Sequence, residues 1–179
     1  MTLKIVGGKF KGRLLQTAGS ATRPTQSIVR AAVFNISQHF IEGATFLDCF
    51  AGSGAMGFEA LSRGATLVTF IEKDKQALQA IRQNAALLEV ESQVHILPYK
   101  LELALQHLKL PFDLIYMDPP YDLPIQPFAL QILKQKLLKQ TGFLFLEERS
   151  KGKTPEIPGL LIVSSRRYGD AALHQFKLL

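Results

Sequence analysis

The sequence predicts an α/β fold, in which a mostly parallel sheet is covered by helices on both faces. From residue 45 onward, short apolar runs typical of buried strands alternate with longer stretches of helical periodicity. A glycine-rich turn and a proline-rich turn follow two of these runs. Ligands of such sheets bind outside the carboxyl ends of the strands, so both turns are expected at one functional edge.

The N-terminal part of the chain differs from this alternating pattern. Residues 3–6 and 13–15 are predicted to be short strands around a loop that holds three glycines. A helix is expected near residues 28–40, where apolar residues recur at helical spacing. We therefore predict an N-terminal hairpin and helix over residues 1–40 and a separate α/β domain over residues 41–179.

The remaining elements follow in regular order. Strands are predicted over residues 46–50, 67–71, 94–97, 112–117 and 143–146, and helices near residues 56–62, 74–88, 101–108 and 128–138. A polar stretch over residues 147–158 breaks the pattern, and residues 160–164 and 172–178 are predicted to form a closing antiparallel hairpin. The sheet is thus expected to contain seven strands.

Composition narrows the class of protein. The formal net charge of +6 attracts polyanions such as nucleic acid. Cys49 is the one cysteine, so an internal disulfide is impossible and a cytoplasmic location is expected. No apolar run approaches the ~20 residues of a membrane helix, and the N-terminus lacks the apolar core of a signal peptide. The four histidines lack metal-binding spacing, so no metal is expected.

The glycine-rich turn predicts a nucleotide-like cofactor. Residues 52–57 match the pattern G-x-G-x-x-G between a predicted strand and a predicted helix. Glu72 lies 20 residues after Gly52, where an acid that binds a ribose is expected. A tight turn that only begins a helix is the plainer alternative.

Asp48 narrows the choice of cofactor, unless it merely caps a nearby turn. It lies four residues before Gly52, where a carboxylate would repel a pyrophosphate but attract a cation. S-adenosylmethionine (AdoMet) has a sulfonium and an amino group and no phosphate, and Glu72 could accept both of its ribose hydroxyls. The predicted cofactor contacts are Asp48, Phe50, Gly52, Ser53, Gly54, Glu72, Lys73 and Leu101.

Asp118-Pro119-Pro120-Tyr121 forms the second unusual turn. Prolines lack an N–H, which leaves the Asp118 carboxylate and the Pro119 carbonyl to accept hydrogen bonds beside a flat ring. Such a place suits a nucleobase with an exocyclic NH2 group, although Asp and Pro are also common in simple turns. We predict that Asp118, Pro119 and Tyr121 are catalytic. The Asp118 carboxylate and the Pro119 carbonyl would accept hydrogen bonds from the amine and make it more nucleophilic, and Tyr121 would stack on the base.

Distinctive segments lie at residues 7–13, 23–25, 29–30, 47–54, 59–65, 71–72, 84, 118–121 and 168–170. Through these segments the sequence resembles the RsmD family of bacterial methyltransferases, which act on the N2 amine of a guanine in small-subunit (16S) ribosomal RNA. The N-terminal segments GGKFKGR and RPT narrow the resemblance to this family, because many amino-methyltransferases share the acidic Pro-Pro-aromatic motif.

The resemblance implies a Rossmann-like class I AdoMet-dependent methyltransferase, in which residues 1–40 are an extension that contacts RNA and residues 41–179 are the catalytic domain. Its partner would be 16S rRNA, within a 30S subunit or an assembly intermediate, and the enzyme is expected to be a monomer. After the third strand the family carries an Asp that contacts the adenine amine of AdoMet, and Lys100 stands there. A lysine cannot accept a hydrogen bond. Either backbone groups near Leu101 hold the adenine, or the alignment is displaced by one or two residues.

Basic residues flank the predicted site in the sequence, and a solvated basic surface is the alternative to RNA binding. The predicted contacts to RNA phosphates are Lys9, Lys11, Arg13, Arg23 and Arg30.

Three other functions stay open. The Asp118 turn also suits an N6-adenine methyltransferase acting on DNA or RNA. A nicotinamide-dependent oxidoreductase could use the glycine loop, but Asp48 argues against it. A non-catalytic RNA-binding factor would bind RNA without transferring a methyl group.

Overall fold

The computed structural model describes residues 3–18, 27–120, 123–150 and 154–179, which form nine strands and five α-helices. In chain order the elements are β1 (Leu3–Lys4), β2 (Leu14–Leu15), α1 (Ser27–Ile36), β3 (Thr45–Asp48), α2 (Ala55–Ser62), β4 (Leu67–Ile71), α3 (Lys75–Leu88), β5 (Val94–Leu97), α4 (Leu101–His107), β6 (Phe112–Met117), α5 (Gln126–Lys134), β7 (Leu138–Arg149), β8 (Leu160–Tyr168) and β9 (Ala171–Leu178).

Seven strands form one sheet in the order β5-β4-β3-β6-β7-β9-β8. Strands β3 to β7 pair in parallel, whereas β9 is antiparallel to both β7 and β8. The predicted mostly parallel sheet with a closing antiparallel hairpin is confirmed. The chain adds β4 and β5 on one side of β3 and later adds β6 on its other side. This reversal of strand order opens a crevice at the carboxyl ends of β3 and β6.

Apolar side chains of the central strands alternate between the two faces of the sheet. Phe46 and Tyr116 are buried in a cluster with residues of α1, α2 and α3. Leu47 and Ile115 are buried in a second cluster with residues of α4 and α5. Because both faces are buried, a shift of one residue would exchange the two sets of side chains, and this fixes the register.

The N-terminal segment packs against the helices of the catalytic part. Ile5 and Leu15 are buried in the same apolar cluster as Phe58 of α2. The N–H of Gln16 donates to Oδ1 of Asn84 at 2.7 Å, and Nδ2 of Asn84 donates to the Gln16 carbonyl at 3.0 Å. The division of the chain into two units stays a prediction, and the described part of the extension shares a core with the rest.

Helix α3 is the longest described helix, with 14 residues. Its N-cap is Asp74, whose carboxylate accepts the N–H of Ala77 at 2.9 Å. This cap fixes where the chain passes from β4 to α3 and thereby positions Glu72 between them. Neither α3 nor any other described helix has both the length and the apolar sequence needed to cross a membrane.

Several predicted boundaries are wrong, including the start of β7, which is Leu138 instead of residue 143, and the end of β8, which is Tyr168 instead of residue 164. Helices α1 and α5 end at Ile36 and Lys134, before their predicted ends. Strand β7 continues to Arg149 and contains Glu147, which the pattern placed in a polar break. The strand continues because its backbone pairs with β9 as far as Arg149. That pairing is a tertiary contact, which local periodicity does not reveal.

Candidate active site

The two unusual turns lie at the same edge of the sheet. The glycine loop follows β3 and Asp118 follows β6, and these parallel strands place Asp48 opposite Tyr116. The N–H of Cys49 donates to the Tyr116 carbonyl at 3.0 Å, which holds the two strand ends together. The candidate site therefore lies where the strand order reverses, as expected for an α/β sheet of this kind.

The glycine loop is open above its first glycine and tightly packed around the others. A Cβ at Gly52 would meet no described atom within 4 Å, so a ligand can approach the backbone there. Gly54 begins α2 with a φ of 83°, and a Cβ here would lie 2.6 Å from the Phe58 ring. The loop thus combines a close approach to the apolar core with free space on its outer side.

Ser53 links the glycine loop to the N-terminal segment. Its Oγ accepts the N–H of Ala18 at 3.0 Å, and its carbonyl accepts Nδ2 of Asn84 at 3.1 Å. Its predicted contact with the cofactor stays a prediction. The structure adds a positioning role for Asn84, which ties the loop and the N-terminal segment to α3.

Glu72 is held over the mouth of the glycine loop by three backbone amides. Its Oε2 accepts the N–H of Gly52 at 2.7 Å. Its Oε1 accepts the N–H groups of Lys73 and Asp74 at 2.8 and 2.9 Å. A carboxylate offers about four lone-pair sites. Glu72 is therefore oriented by the chain and keeps acceptor capacity for a ligand hydroxyl.

Asp48 is a buried carboxylate without a hydrogen-bond donor. Its exposed fraction is 1%, and neither oxygen makes a hydrogen bond to any described residue. Burial raises the pKa of Asp48 to about 7, and the charge of Glu72 adds to the rise. The nearby amides of Gly57 and Phe50 oppose the rise in pKa, although their geometry falls short of a hydrogen bond. A positively charged ligand nearby would compensate this unpaired carboxylate.

Asp118 follows β6 directly and is partly exposed. Burial raises its pKa well above the usual range of an aspartate, and the charges of Glu147 and Asp48 add to the rise. Pro119 is buried beside it. Tyr121 lies outside the described residues, so its stacking on a base stays a prediction.

Glu147 completes a cluster of three carboxylates with Asp48 and Asp118, the carboxylate cluster below. Met117 and Leu146 are paired on β6 and β7, so Asp118 and Glu147 are the next residues along two neighbouring strands. The Tyr116 hydroxyl donates to Oε2 of Glu147. Burial raises the pKa of Glu147, and this hydrogen bond opposes the rise. The sequence analysis missed Glu147 because it ended β7 at Leu146 and assigned Glu147 to a polar break.

A cavity of about 230 Å³ joins the segments that the sequence predicts to bind the cofactor and to carry catalysis. Glu72 lines it from the end of β4, and Pro120 lines it from the Asp-Pro-Pro turn. Three predicted cofactor contacts also form its walls: Phe50, Lys73 and Leu101. The sequence analysis did not identify Glu102, which lines the cavity two residues after Lys100.

Part of the predicted RNA-binding surface is a loop fixed against α2. Its exposed basic residues are Lys9, Lys11 and Arg13. The Ser62 hydroxyl accepts the N–H of Phe10 at 2.9 Å and so holds this loop on the end of α2. Binding of RNA phosphates by the loop stays a prediction. Arg23 lies outside the described residues.

Arg30 does not fit its predicted role as a surface contact to phosphate. Its exposed fraction is 3%, and its Nη2 donates to the Lys4 carbonyl at 2.8 Å. Its Nε lies 3.7 Å from Oε2 of the fully buried Glu59, whose Oε1 accepts Nε of Arg63 at 2.8 Å. Residue type alone could not separate this buried arginine from the exposed ones. Arg30 instead joins α1 to β1 and α2.

The carboxylate cluster is not arranged as a metal site. Among the described residues, no group of three or more His, Cys, Asp or Glu side chains could hold a metal ion. Like-charged groups that neither pair with a cation nor surround a metal are a frequent sign of a functional site.

Known proteins resemble this chain over nearly its whole length. Residues 3–177 match the family model described as "Conserved hypothetical protein 95". The chain is 35% identical over 182 residues to ribosomal RNA small subunit methyltransferase D of Haemophilus influenzae, and the alignment covers 93% of each chain. It is 32% identical over 158 residues to the Escherichia coli protein of the same name, with 87% of this chain and 79% of that one covered.

A solved structure agrees with these sequence matches. The yhhF protein of Escherichia coli superposes with a TM-score of 0.89 at 28% identity, covering 99% of this chain and 98% of that one. The shared fold thus includes the N-terminal segment as well as the sheet. The chain therefore belongs to the RsmD family of methyltransferases.

Proposed function

We propose that this rRNA methyltransferase transfers a methyl group from AdoMet to the exocyclic N2 amine of one guanine in 16S rRNA. The observation that carries the proposal is the shared cavity, lined by both Glu72 and Pro120. A cofactor whose ribose binds Glu72 would reach the segment proposed to hold the amine. Relatives named as small-subunit rRNA methyltransferases support the class of substrate.

Three features support AdoMet as the cofactor. Gly52 leaves open space beside the loop, Glu72 keeps acceptor capacity for a ribose hydroxyl, and Asp48 is buried without a hydrogen-bond donor among the described residues. AdoMet, when bound, supplies a methyl group on a positively charged sulfur. A positive charge beside the carboxylate cluster reduces the repulsion among its members, whereas a pyrophosphate would increase it. This contrast argues against a dinucleotide.

Glu102 is proposed to accept the adenine amine of the cofactor. Lys100 stands where the family carries an Asp, and a lysine has no acceptor. Glu102 lies two residues later in the first turn of α4 and lines the same cavity as Glu72. Leu101 contributes an apolar wall between them. This geometry favours the displaced alignment over an adenine held only by backbone groups.

Asp118 and Pro119 are proposed to accept the two N–H groups of the target amine. Acceptors held at fixed positions oppose the positive charge that develops on the nitrogen during methylation. Positioning the amine against the methyl group supplies the other main contribution to rate. Asp118 can then take the proton that the methylated nitrogen must lose. Tyr121 is proposed to stack on the base, which must first leave its own stack.

The exposed loop with Lys9, Lys11 and Arg13 is proposed to bind RNA phosphates. A net charge of +6 supports binding to a polyanion. We extend the proposal to a monomeric, cytoplasmic enzyme acting on a 30S subunit or an assembly intermediate. A salt titration tests the loop, because replacing these residues should reduce the slope of log affinity against log salt.

Methylation by the purified protein tests the reaction. Radioactive AdoMet is supplied with free 16S rRNA, 30S particles and DNA, with RNA and particles taken from cells lacking this gene. We expect label in N2-methylguanine at one nucleotide of 16S rRNA, located by nuclease mapping. Label in N6-methyladenine would favour the adenine alternative. RNA binding without any transferred label would indicate a non-catalytic factor.

A further inference from the structure

Glu147 is the member of the carboxylate cluster that amine methylation leaves without a role. Asp48 lies at the glycine loop, and Asp118 faces the proposed position of the amine. Glu147 is the neighbour of Asp118 on the adjacent parallel strand, because Met117 and Leu146 are paired directly before them. Adjacent strands are about 4.8 Å apart. The two carboxylates therefore offer neighbouring acceptors at one edge of the sheet.

One oxygen of Glu147 is fixed by the protein and the other is available. The Tyr116 hydroxyl donates to Oε2. Oε1 makes no hydrogen bond within the described ranges, and the residue is partly exposed. Tyr116 is itself almost fully buried, with an exposed fraction of 1%. A buried hydroxyl thus orients this carboxylate towards the same edge as Asp118.

The two purine bases differ in the group beside their exocyclic amine. Guanine presents the N2 amine next to the N1–H, so two neighbouring donors face outward on its pairing edge. Adenine presents the N6 amine next to the N1 lone pair, which is an acceptor. Two adjacent carboxylates match two adjacent donors. The same two carboxylates disfavour adenine, because its N1 lone pair would face a carboxylate oxygen and be repelled.

We propose that Glu147 accepts the N1–H of the target base and thereby selects guanine over adenine. This inference rests on the proposed methylation of guanine N2 and assigns the specificity of that same site. Asp118 and Pro119 hold the amine, while Glu147 reads the neighbouring ring nitrogen. Tyr116 is a positioning residue, because it acts on the base through the orientation of Glu147.

Electrostatics favour this role once the cofactor is bound. Burial and like-charge repulsion raise the pKa of Asp118 in the free protein, and burial raises that of Glu147. Both groups must be ionised to act only as acceptors. The positive charge of AdoMet would lower both pKa values. Guanine would then be recognised best by the cofactor-bound enzyme.

A base analogue separates this role from a structural one. 2-Aminopurine keeps the amine on C2 but has a lone pair at N1 in place of the N1–H. The substrates are 16S rRNAs, assembled into 30S particles if required, with guanine or 2-aminopurine at the mapped nucleotide. The wild-type enzyme should prefer guanine by about 10- to 100-fold in kcat/KM, the range of one specific polar contact.

Glu147→Gln should lower this preference at least tenfold, because a glutamine amide can donate to the N1 lone pair of 2-aminopurine. Tyr116→Phe should lower the preference by a smaller factor. The matched control is Glu148→Gln, since Glu148 lies on the opposite face of β7, with its Oε2 3.6 Å from Nε2 of His174. The control should retain the wild-type ratio.

Two results would overturn the inference. The first is an equal loss of kcat/KM on both substrates in Glu147→Gln, which indicates a structural role. The second is a wild-type enzyme that methylates 2-aminopurine as well as guanine. Failure of the proposed function is distinguishable, because the wild-type enzyme would then not methylate the guanine RNA. AdoMet affinity and thermal unfolding of each variant report whether the protein is folded.

Discussion

Two groups of buried and half-buried charged residues in this protein differ in how their charge is balanced. Arg30, Glu59 and Arg63 combine opposite charges, and this set is the arginine–glutamate network below. The carboxylate cluster combines like charges, and its member Asp48 makes no hydrogen bond within the described chain. The network joins α1 to α2, whereas the carboxylate cluster lies near the carboxyl ends of β3, β6 and β7.

The contrast separates a structural role from a functional one. Glu59 accepts hydrogen bonds from the Val6 N–H and from Arg63 Nε, each at 2.8 Å, so contacts within the chain satisfy its charge. The network therefore joins the N-terminal segment to α2. The carboxylate cluster has no such counter-charge within the described chain, and burial, together with repulsion from Glu147 and Asp48, raises the pKa of Asp118. Such an arrangement is stabilised by a cation from outside.

The largest effect is expected from removing the negative charge of the network. Glu59→Gln leaves Arg30 buried beside a neutral group, and breaking a buried ion pair costs about 3–5 kcal/mol. Urea unfolding should show a loss of about 3 kcal/mol or more. Glu91→Gln, at an exposed position, is the control and should change stability little. Equal stability of the two variants would contradict a structural role for the network.

Removing a member of the carboxylate cluster should affect activity rather than stability. Asp118→Ala should lower kcat by about 10²- to 10³-fold, the usual effect of losing one preorganised polar contact in a transition state. Calorimetric titration should show AdoMet affinity largely retained, and unfolding should show stability equal to or above that of the wild type. Wild-type turnover in this variant would remove Asp118 from the mechanism.

Asp48→Asn should change the dependence of stability on pH. The pKa of Asp48 is about 7 in the folded protein against an ordinary value of 3.8, so its protonated form stabilises the fold. That contribution is complete below the ordinary value and is lost as the pH rises through about 7. Asparagine has no proton to lose. Relative to the wild type, the free energy of unfolding of the variant should therefore rise by on the order of 2 kcal/mol between about pH 5 and pH 8.

Thermal or urea unfolding at both pH values measures this difference. A constant difference in stability across the range would mean that Asp48 does not titrate there. The same variant should bind AdoMet more weakly at the higher pH, where the wild-type carboxylate is ionised. At the higher pH the variant should thus be more stable but should bind AdoMet more weakly. Together the two measurements test whether the ionised Asp48 carboxylate lowers the stability of the fold while it strengthens AdoMet binding.

The smallest effect concerns ligand charge. AdoMet should bind about three- to tenfold more tightly as the pH rises from about 6 to 7.5, because cluster carboxylates with raised pKa values become ionised. S-adenosylhomocysteine lacks the sulfonium and should show a shallower dependence. Calorimetry in two buffers of different ionisation enthalpy should detect more protons released with AdoMet. The same release with both ligands would show that the sulfonium does not face the cluster.

Local sequence was informative where a residue's role depends on its immediate neighbours. The glycine spacing after β3 and the acid 20 residues past Gly52 singled out the glycine loop and Glu72, which the structure joins by a hydrogen bond of 2.7 Å. Asp118 was found because the prolines after it are rare beside a buried strand. Strand β7 was cut short because its last residues pair with β9, and Glu147 was lost with them.

The sequence by itself determined the order of strands and helices, the seven-stranded sheet and the edge that holds the candidate site. Periodicity and turn chemistry are local properties, and each residue carries them wherever it lies in the fold. Only the tertiary structure decided which charged groups are buried together. It placed Arg30 against Glu59 and set Glu147 beside Asp118, because burial and charge pairing depend on neighbours from distant parts of the chain.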